Sequence, residues 1–329
     1  MLFNKKIKFA FLSVLPFLFI SQPVLSAQDE LSVMVLGSGG PVAKASGRAS
    51  ASYMIFTDGN PRVLMDVGGG SFQRLAASGF NINDMEYFLL SHLHLDHTGD
   101  MSSIIKTIYF HNPLARTRRS NPIHIYGPTN DPQNNDYSAT IDYADAHYAA
   151  PDGTERYLTN FVRQITQGTS RFNYVAHNLN ATVQGAAIEE VLRTNDGLVI
   201  TAIAVTHGTV PAVAFRVEYK GNSIVYSGDT SSASDNMITL AQDADILIYD
   251  TAITDTLPPS PFFRSLHTTP TRIGQVASQA NVKNLILSHI TPITEPRIAE
   301  VMQSIRNQGY VGQMVESNDL DRYDLPVAN

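Results

Sequence analysis

Apolar residues along this chain fall into short runs of period two, punctuated by turn residues, and into longer stretches of helical period. Residues 31–37 (LSVMVLG) alternate and then run apolar into Gly-Ser-Gly-Gly-Pro, the mark of a strand that ends in a turn. Stretches 51–57 and 62–66 flank Asp58-Gly59-Asn60-Pro61, which predicts a hairpin with an Asp-Gly turn. The pattern continues with a helix over 72–77, a short buried strand over 87–91, a helix over 101–109 and a strand over 123–126. Further on, 198–206, 212–220 and 223–227 read as strands, with Lys220-Gly221-Asn222 as a hairpin turn. Helices over 235–242, 270–280 and 296–307 then alternate with buried strands over 245–249 and 285–287.

The stretch 129–195 differs. It is rich in Asn, Asp, Thr, Tyr and Ala, with patchy helical signals near 138–149 and 157–166, and reads as an insertion or lid. The two flanking halves each mix strands and helices. That pattern predicts an α+β fold in which two sheets pack face to face with helices outside, an αββα four-layer sandwich. One domain would run over residues 28–329.

Composition narrows the chemistry. The 329 residues are 43% hydrophobic and 16% charged, enough apolar material for a large core, which excludes a disordered chain. There is no cysteine, so disulfides, thiol nucleophiles and cysteine-held metals are excluded. Lys5, Lys6 and Lys8 precede an apolar run from Phe9 to Ile20 and a small-residue stop at Ser26-Ala27, the layout of a cleaved secretory signal over 1–27. The run is short for a membrane span, which needs roughly 20 apolar residues. Cleavage would remove three lysines and no acid, taking the net charge from −7 to −10. The expected destination is the periplasm or the medium, with no membrane attachment after cleavage. The charge argues against a nucleic-acid partner. A homodimer is left open.

The strongest chemical signal is Ser91-His92-Leu93-His94-Leu95-Asp96-His97-Thr98-Gly99-Asp100, directly after a buried strand. His92 and His94 alternate, so both leave one side of an extended loop. Asp96 and His97 turn the other way as a helix begins. Imidazole and carboxylate suit a borderline divalent ion such as zinc, with manganese also admitted. Two pairs aimed at two places suggest two metals.

The His-x-His-x-Asp-His element resembles that of the metallo-β-lactamase superfamily, and later residues match the family's other motifs in order. The resemblance implies that Asp66 orients the metal loop. It implies one metal held by His92, His94, His207 and Asp229, and a second held by Asp96, His97, Asp229 and His289, with Asp229 bridging. His94 stands where the flavodiiron branch carries Glu, which disfavours a redox role. Asp229 stands where the common β-lactamases carry Cys or Ser, which disfavours lactam hydrolysis. His267-Thr268-Thr269 resembles the His-Ser/Thr-Thr element of the ribonuclease Z-like branch. There His267 would protonate the leaving oxygen, steadied by Asp250, where ribonuclease Z typically has Glu. Asp96 is counted with them among the catalytic candidates.

The same branch contains secreted arylsulfatases, and the signal segment and acidic balance favour that function: a small anionic sulfate ester, attacked at sulfur by a hydroxide shared between two Zn²⁺. A phosphodiesterase acting on cyclic nucleotides or other diesters is the first alternative. A lactonase or thioesterase, and a non-catalytic periplasmic binding protein, follow. Elsewhere, Arg116, Arg118 and Arg119 read as a solvated loop rather than an anion site. His111, His124, His147 and His177 match no motif. His177 and Tyr174 lie within the insertion, from which a lid would reach the site. Phe262 and Phe263 fit a pocket wall and a core position equally. Gly37-Ser38-Gly39-Gly40 lacks a Walker lysine, and the resemblance makes it a turn close to the metals.

Overall fold

The computed structural model describes residues 31–325 apart from 116, 117, 120, 132, 133 and 135, and only the helical backbone of 111–115. The expected signal segment, Arg116 and the side chain of His111 lie outside the described residues. Strands β1 (Leu31–Gly37), β2 (Ser52–Thr57), β3 (Asn60–Val67), β4 (Tyr87–Leu89), β5 (Ile123–Pro128) and β6 (Tyr174–Leu179) lie side by side in that order. A second sheet runs through β7 (Glu189–Arg193), β8 (Val199–His207), β9 (Val210–Tyr219), β10 (Asn222–Tyr226), β11 (Ile246–Asp250), β12 (Asn284–Ser288) and β13 (Gln313–Glu316). The last strand, β14 (Arg322–Leu325), returns to the first sheet and pairs antiparallel with β1. Each sheet thus has seven strands.

The period of two explains the layers. In β2, Tyr53 and Ile55 face the other sheet and join Val213, Phe215, Ile248 and Ile286 in the central core. Met54 and Phe56 point the opposite way, onto α1 (Ser71–Ser78), α3 (Met101–Ala115), α4 (Thr140–Tyr148) and α5 (Leu158–Ile165). On the far side, Val225, Leu247 and Leu285 meet α6 (Asn236–Leu240), α8 (Pro270–Gln279) and α9 (Ile298–Arg306). Helix, sheet, sheet and helix make four layers, the arrangement the alternation predicted. Two short helices complete it: α2 (Leu95–Thr98) and α7 (Pro261–Leu266).

Most predicted elements stand within a few residues of their expected ends, and the hairpin turn has Asp58 at φ 49° and Gly59 at φ 77°. The stretch 129–195 needs a correction. The expected helices are present as α4 and α5, but the stretch also supplies β6 and β7, the outer strands of the two sheets, so it is not simply a lid. His177 and Tyr174 sit on β6 within the sheet. His177 stacks on Tyr126 at 4.3 Å, and the Tyr174 hydroxyl donates to Asp145, so neither reaches toward the metal loop. Arg119 is also buried rather than solvated, with Nη1 donating to the Asn83 carbonyl.

Strands β3 to β6 run parallel, as do β10 to β13. Their C-terminal ends, together with that of β8, open onto one edge of the sandwich. Loops leaving such ends collect functional side chains, because the strands hold them and the backbone there is free of ladder bonds.

Candidate metal centre

Asp66, fully buried near the end of β3, organises the metal loop. Its carboxylate accepts from the Ser91 backbone N–H, the Ser91 hydroxyl and the Tyr226 hydroxyl, each at 2.7 Å. It also pairs with His97 Nδ1 at 2.7 Å. That pairing turns His97 Nε2 toward Asp229 Oδ1 at 3.5 Å and Asp96 Oδ2 at 3.4 Å. Ser91 and Tyr226 were not legible as site residues, because neither belongs to a ligand motif. The loop is pinned across the sandwich as well, since Ser91 C=O accepts from Val213 N–H at 2.9 Å.

Two donor sets result. In the first, His92 Nε2 and His94 Nδ1 lie 2.9 Å apart, and the His92 and His207 rings are 4.6 Å centre to centre. His207 ends β8 and its Nδ1 hydrogen-bonds the Leu266 carbonyl at 2.8 Å, leaving Nε2 buried and unpartnered among the described residues. The second set joins Asp96, His97, Asp229 and His289. His289 Nε2 is 3.3 Å from Asp96 and 3.4 Å from Asp229. Within each set the donor atoms lie within 4.8 Å of one another. Asp229 stands between the sets, 4.0 Å from His207 Nε2 on one side.

Backbone at the site is constrained. Asp66 and His289 hold φ values of 54° and 56°, a region that costs free energy for non-glycine residues and that persists where surroundings over-determine it. A Cβ on Gly40 would fall 2.8 Å from the His289 ring, so the glycine turn packs directly on that histidine.

The electrostatics separate the two sets. Burial, reinforced by neighbouring imidazoles, keeps His92 well below its ordinary pKa; burial also lowers His94 and brings His207 to about 4. These three are neutral and offer lone pairs. Burial acts in the same direction on His97 and His289, but Asp229 and its neighbouring carboxylates outweigh it. They hold His97 well above its usual value and His289 at about 10. Burial would raise Asp96 and Asp229, yet the imidazoles pull both below the usual carboxylate range. The cluster therefore demands positive charge at its centre. Neutral imidazoles, ionised carboxylates and orphaned buried atoms on His97, His207 and Asp229 fit a divalent cation.

Beside the second set, His267 Nδ1 meets Asp250 Oδ2 at 2.8 Å and lies 3.9 Å from Asp229. Burial opposes its protonation, but the Asp250 carboxylate prevails and raises the His267 pKa. With Nδ1 taken, Nε2 is the polar atom left to face a substrate. His267 is the residue at which α7 ends, and its N–H donates to the Phe263 carbonyl. The same helix supplies the Leu266 carbonyl to His207, a link that no side-chain pattern announces. Phe262 and Phe263 are exposed on α7, neither core nor part of the cleft beside His207. His124 and His177 pair with each other at 3.2 Å, away from both sets, and His147 bonds the Tyr143 carbonyl.

A family model described as the beta-lactamase superfamily domain matches residues 62–290. The chain belongs to the metallo-β-lactamase superfamily. Within it, the ribonuclease Z-like branch is the one supported. Ribonuclease Z of Mycolicibacterium paratuberculosis is 26% identical over 309 residues, covering 90% of this chain and 98% of the relative. Ribonuclease Z of Mycobacterium marinum is 25% identical over 309 residues, covering 90% and 99%. Among solved structures, the short form of human tRNase Z superposes with a TM-score of 0.63 at 20% identity, covering 90% of this chain and all of that one. The metallo-beta-lactamase fold protein YhfI of Bacillus subtilis gives 0.61 at 18% identity, with 90% and 100% coverage. As a metallo-β-lactamase-family protein, the chain is a metal-dependent hydrolase.

Proposed function

We propose that this protein is a dinuclear-metal hydrolase of small anionic esters, with phosphate diesters as its first substrate class. His92, His94 and His207 would hold one ion, and Asp96, His97 and His289 a second, with Asp229 shared. Zinc suits this donor set, and manganese is the alternative. Two cations held there would supply Lewis acidity toward a tetrahedral anion and a water acidified for attack.

The chain's own residues supply the rest. Asp66 fixes the His97 ring, and the Leu266 carbonyl fixes the His207 ring, so both present Nε2 without reorganisation. His267, whose pKa Asp250 raises, is placed to deliver a proton from Nε2 to the departing oxygen. This pair, 2.8 Å apart beside the shared Asp229, is the observation that carries a hydrolytic reading over a binding protein. The ribonuclease Z relatives, alike over 90% of the chain, favour phosphorus over sulfur as the centre attacked.

Sulfate esters are the second reading. The cleft beside His207 has no Lys or Arg among its described lining residues and carries the carboxylate of Asp131. Such a wall suits a single negative charge, which a sulfate monoester bears, and disfavours a long polyanion held by phosphate neutralisation. Residues 1–27 read as a signal support export, which would separate the enzyme from cytoplasmic RNA. One assay decides: kcat/KM for bis-4-nitrophenyl phosphate, cyclic AMP, 4-nitrophenyl sulfate and a precursor tRNA on one metal-loaded preparation. The diesters are expected to lead. A sulfate rate far above every diester would replace the first reading with the second, and metal-dependent hydrolysis of none would end both.

A further inference from the structure

Next to His207 the sandwich edge opens into a cleft of about 470 Å³. Its floor is the end of β8, with Thr206, and the β8–β9 turn, with Thr209. Its far wall comes from two segments that follow the β5 and β6 ends, with Thr129, Asn130 and Asp131 on one and Thr182 on the other. One end of the cleft is therefore a metal-donor histidine, and the rest is hydroxyl, amide and small aliphatic groups with the carboxylate of Asp131.

That chemistry is selective. Four threonines and an asparagine both donate and accept, so they match the hydroxyls of a neutral polar group. The methyls of the threonines and the neighbouring valines cover its C–H faces. Among the described lining residues there is no Phe, Tyr or Trp on which a base or phenyl group would stack, the one ring being the His207 imidazole, and no Lys or Arg to hold a second anionic group. Asp131 is the one acidic residue of the described lining. The volume is in the range of small-molecule sites, roughly 300–1,000 Å³.

We propose that this cleft is a subsite for a polyhydroxylated, sugar-like arm of the ester, so that among the esters this enzyme takes, those carrying such an arm are preferred over aryl esters and polynucleotides. The proposal rests on the hydrolase reading above and names the group that its substrate would carry. Hydroxyls on the arm would bond Thr129, Thr182 and Asn130 while the anionic centre lies at the donor sets.

Calorimetry on metal-loaded protein tests it by binding, with phosphate monoesters standing for the products that a diesterase releases. Wild type is titrated with glucose 6-phosphate, methyl phosphate and phenyl phosphate. The expected result is at least tenfold tighter binding of glucose 6-phosphate than of methyl phosphate, with phenyl phosphate weaker than glucose 6-phosphate. In Thr129→Val/Thr182→Val, a near-isosteric change, the sugar preference should fall below threefold while methyl phosphate affinity holds. No sugar preference in wild type, phenyl phosphate as the tightest ligand, or an undiminished preference in the folded variant would overturn the proposal. Failure of the hydrolase reading is a separate outcome, because the preference is measured by binding and hydrolysis by kcat/KM.

Discussion

Four contacts at 2.7 Å converge on the Asp66 carboxylate, from Ser91 after β4, His97 in α2 and Tyr226 on β10 of the other sheet. A buried carboxylate with that many partners is held rigid, so the histidine it orients is rigid too. His267 is held by a single carboxylate, and its role is separable by substrate. Replacing His267 with Ala removes a proton donor, a loss of about 10²–10⁴ in rate when the leaving group needs protonation. We expect alkyl diesters to suffer that loss and 4-nitrophenyl esters, whose phenolate leaves unaided, to suffer little. Steady-state rates across a leaving-group series check it, and a loss of equal size for all leaving groups would remove His267 from the proton path.

Among the elements, the joint between β3 and α1 does the most to place the site. Gly68 follows β3, and a Cβ there would sit 2.1 Å from the Asp96 carbonyl oxygen, so the metal loop passes against bare backbone. Asp100 then accepts from the Gly70 and Phe72 N–H groups, capping α1 from a different part of the chain. Gly68→Ala should push the loop away from the sheet. We expect a loss of metal affinity of about tenfold or more, in line with misplaced support around metal ligands, read by competition with a chelating dye. Wild-type affinity in a folded Gly68→Ala protein would show that the loop tolerates displacement. The motif His92 to Asp100 was legible as a ligand loop from its residue types. Its dependence on Gly68 was not, since close packing of two backbones leaves no mark beyond a glycine.

For the whole molecule, stability and metal content are linked. The central core joins Tyr53, Ile55, Phe215 and Ile248 across the two sheets and does not depend on an ion. Removing metal should leave the fold in place but lower its melting temperature. A ligand at a hundredfold excess over Kd adds about 2.7 kcal/mol, and at this chain length that is about 4 °C for each ion. Thermal melts with and without a chelator measure the shift, with near-unchanged far-UV circular dichroism expected at 25 °C. Elemental analysis should find about two ions per chain, and fewer than about one would undermine the paired site. Residue order by itself determined the four layers, since period-two alternation dictates two-faced strands, and it determined the ligand loop, since His92 to His97 are neighbours in the chain. Tertiary structure decided the rest. The strands β6, β7, β13 and β14 lie outermost, or as the added edge beside β1, with half-exposed polar residues and a weak hydrophobic signal. Tyr226 reaches Asp66 across 160 positions, and Leu266 meets His207 through a backbone carbonyl that every residue type possesses. Contacts of that kind depend on register and packing between distant segments, which no local pattern of side chains encodes.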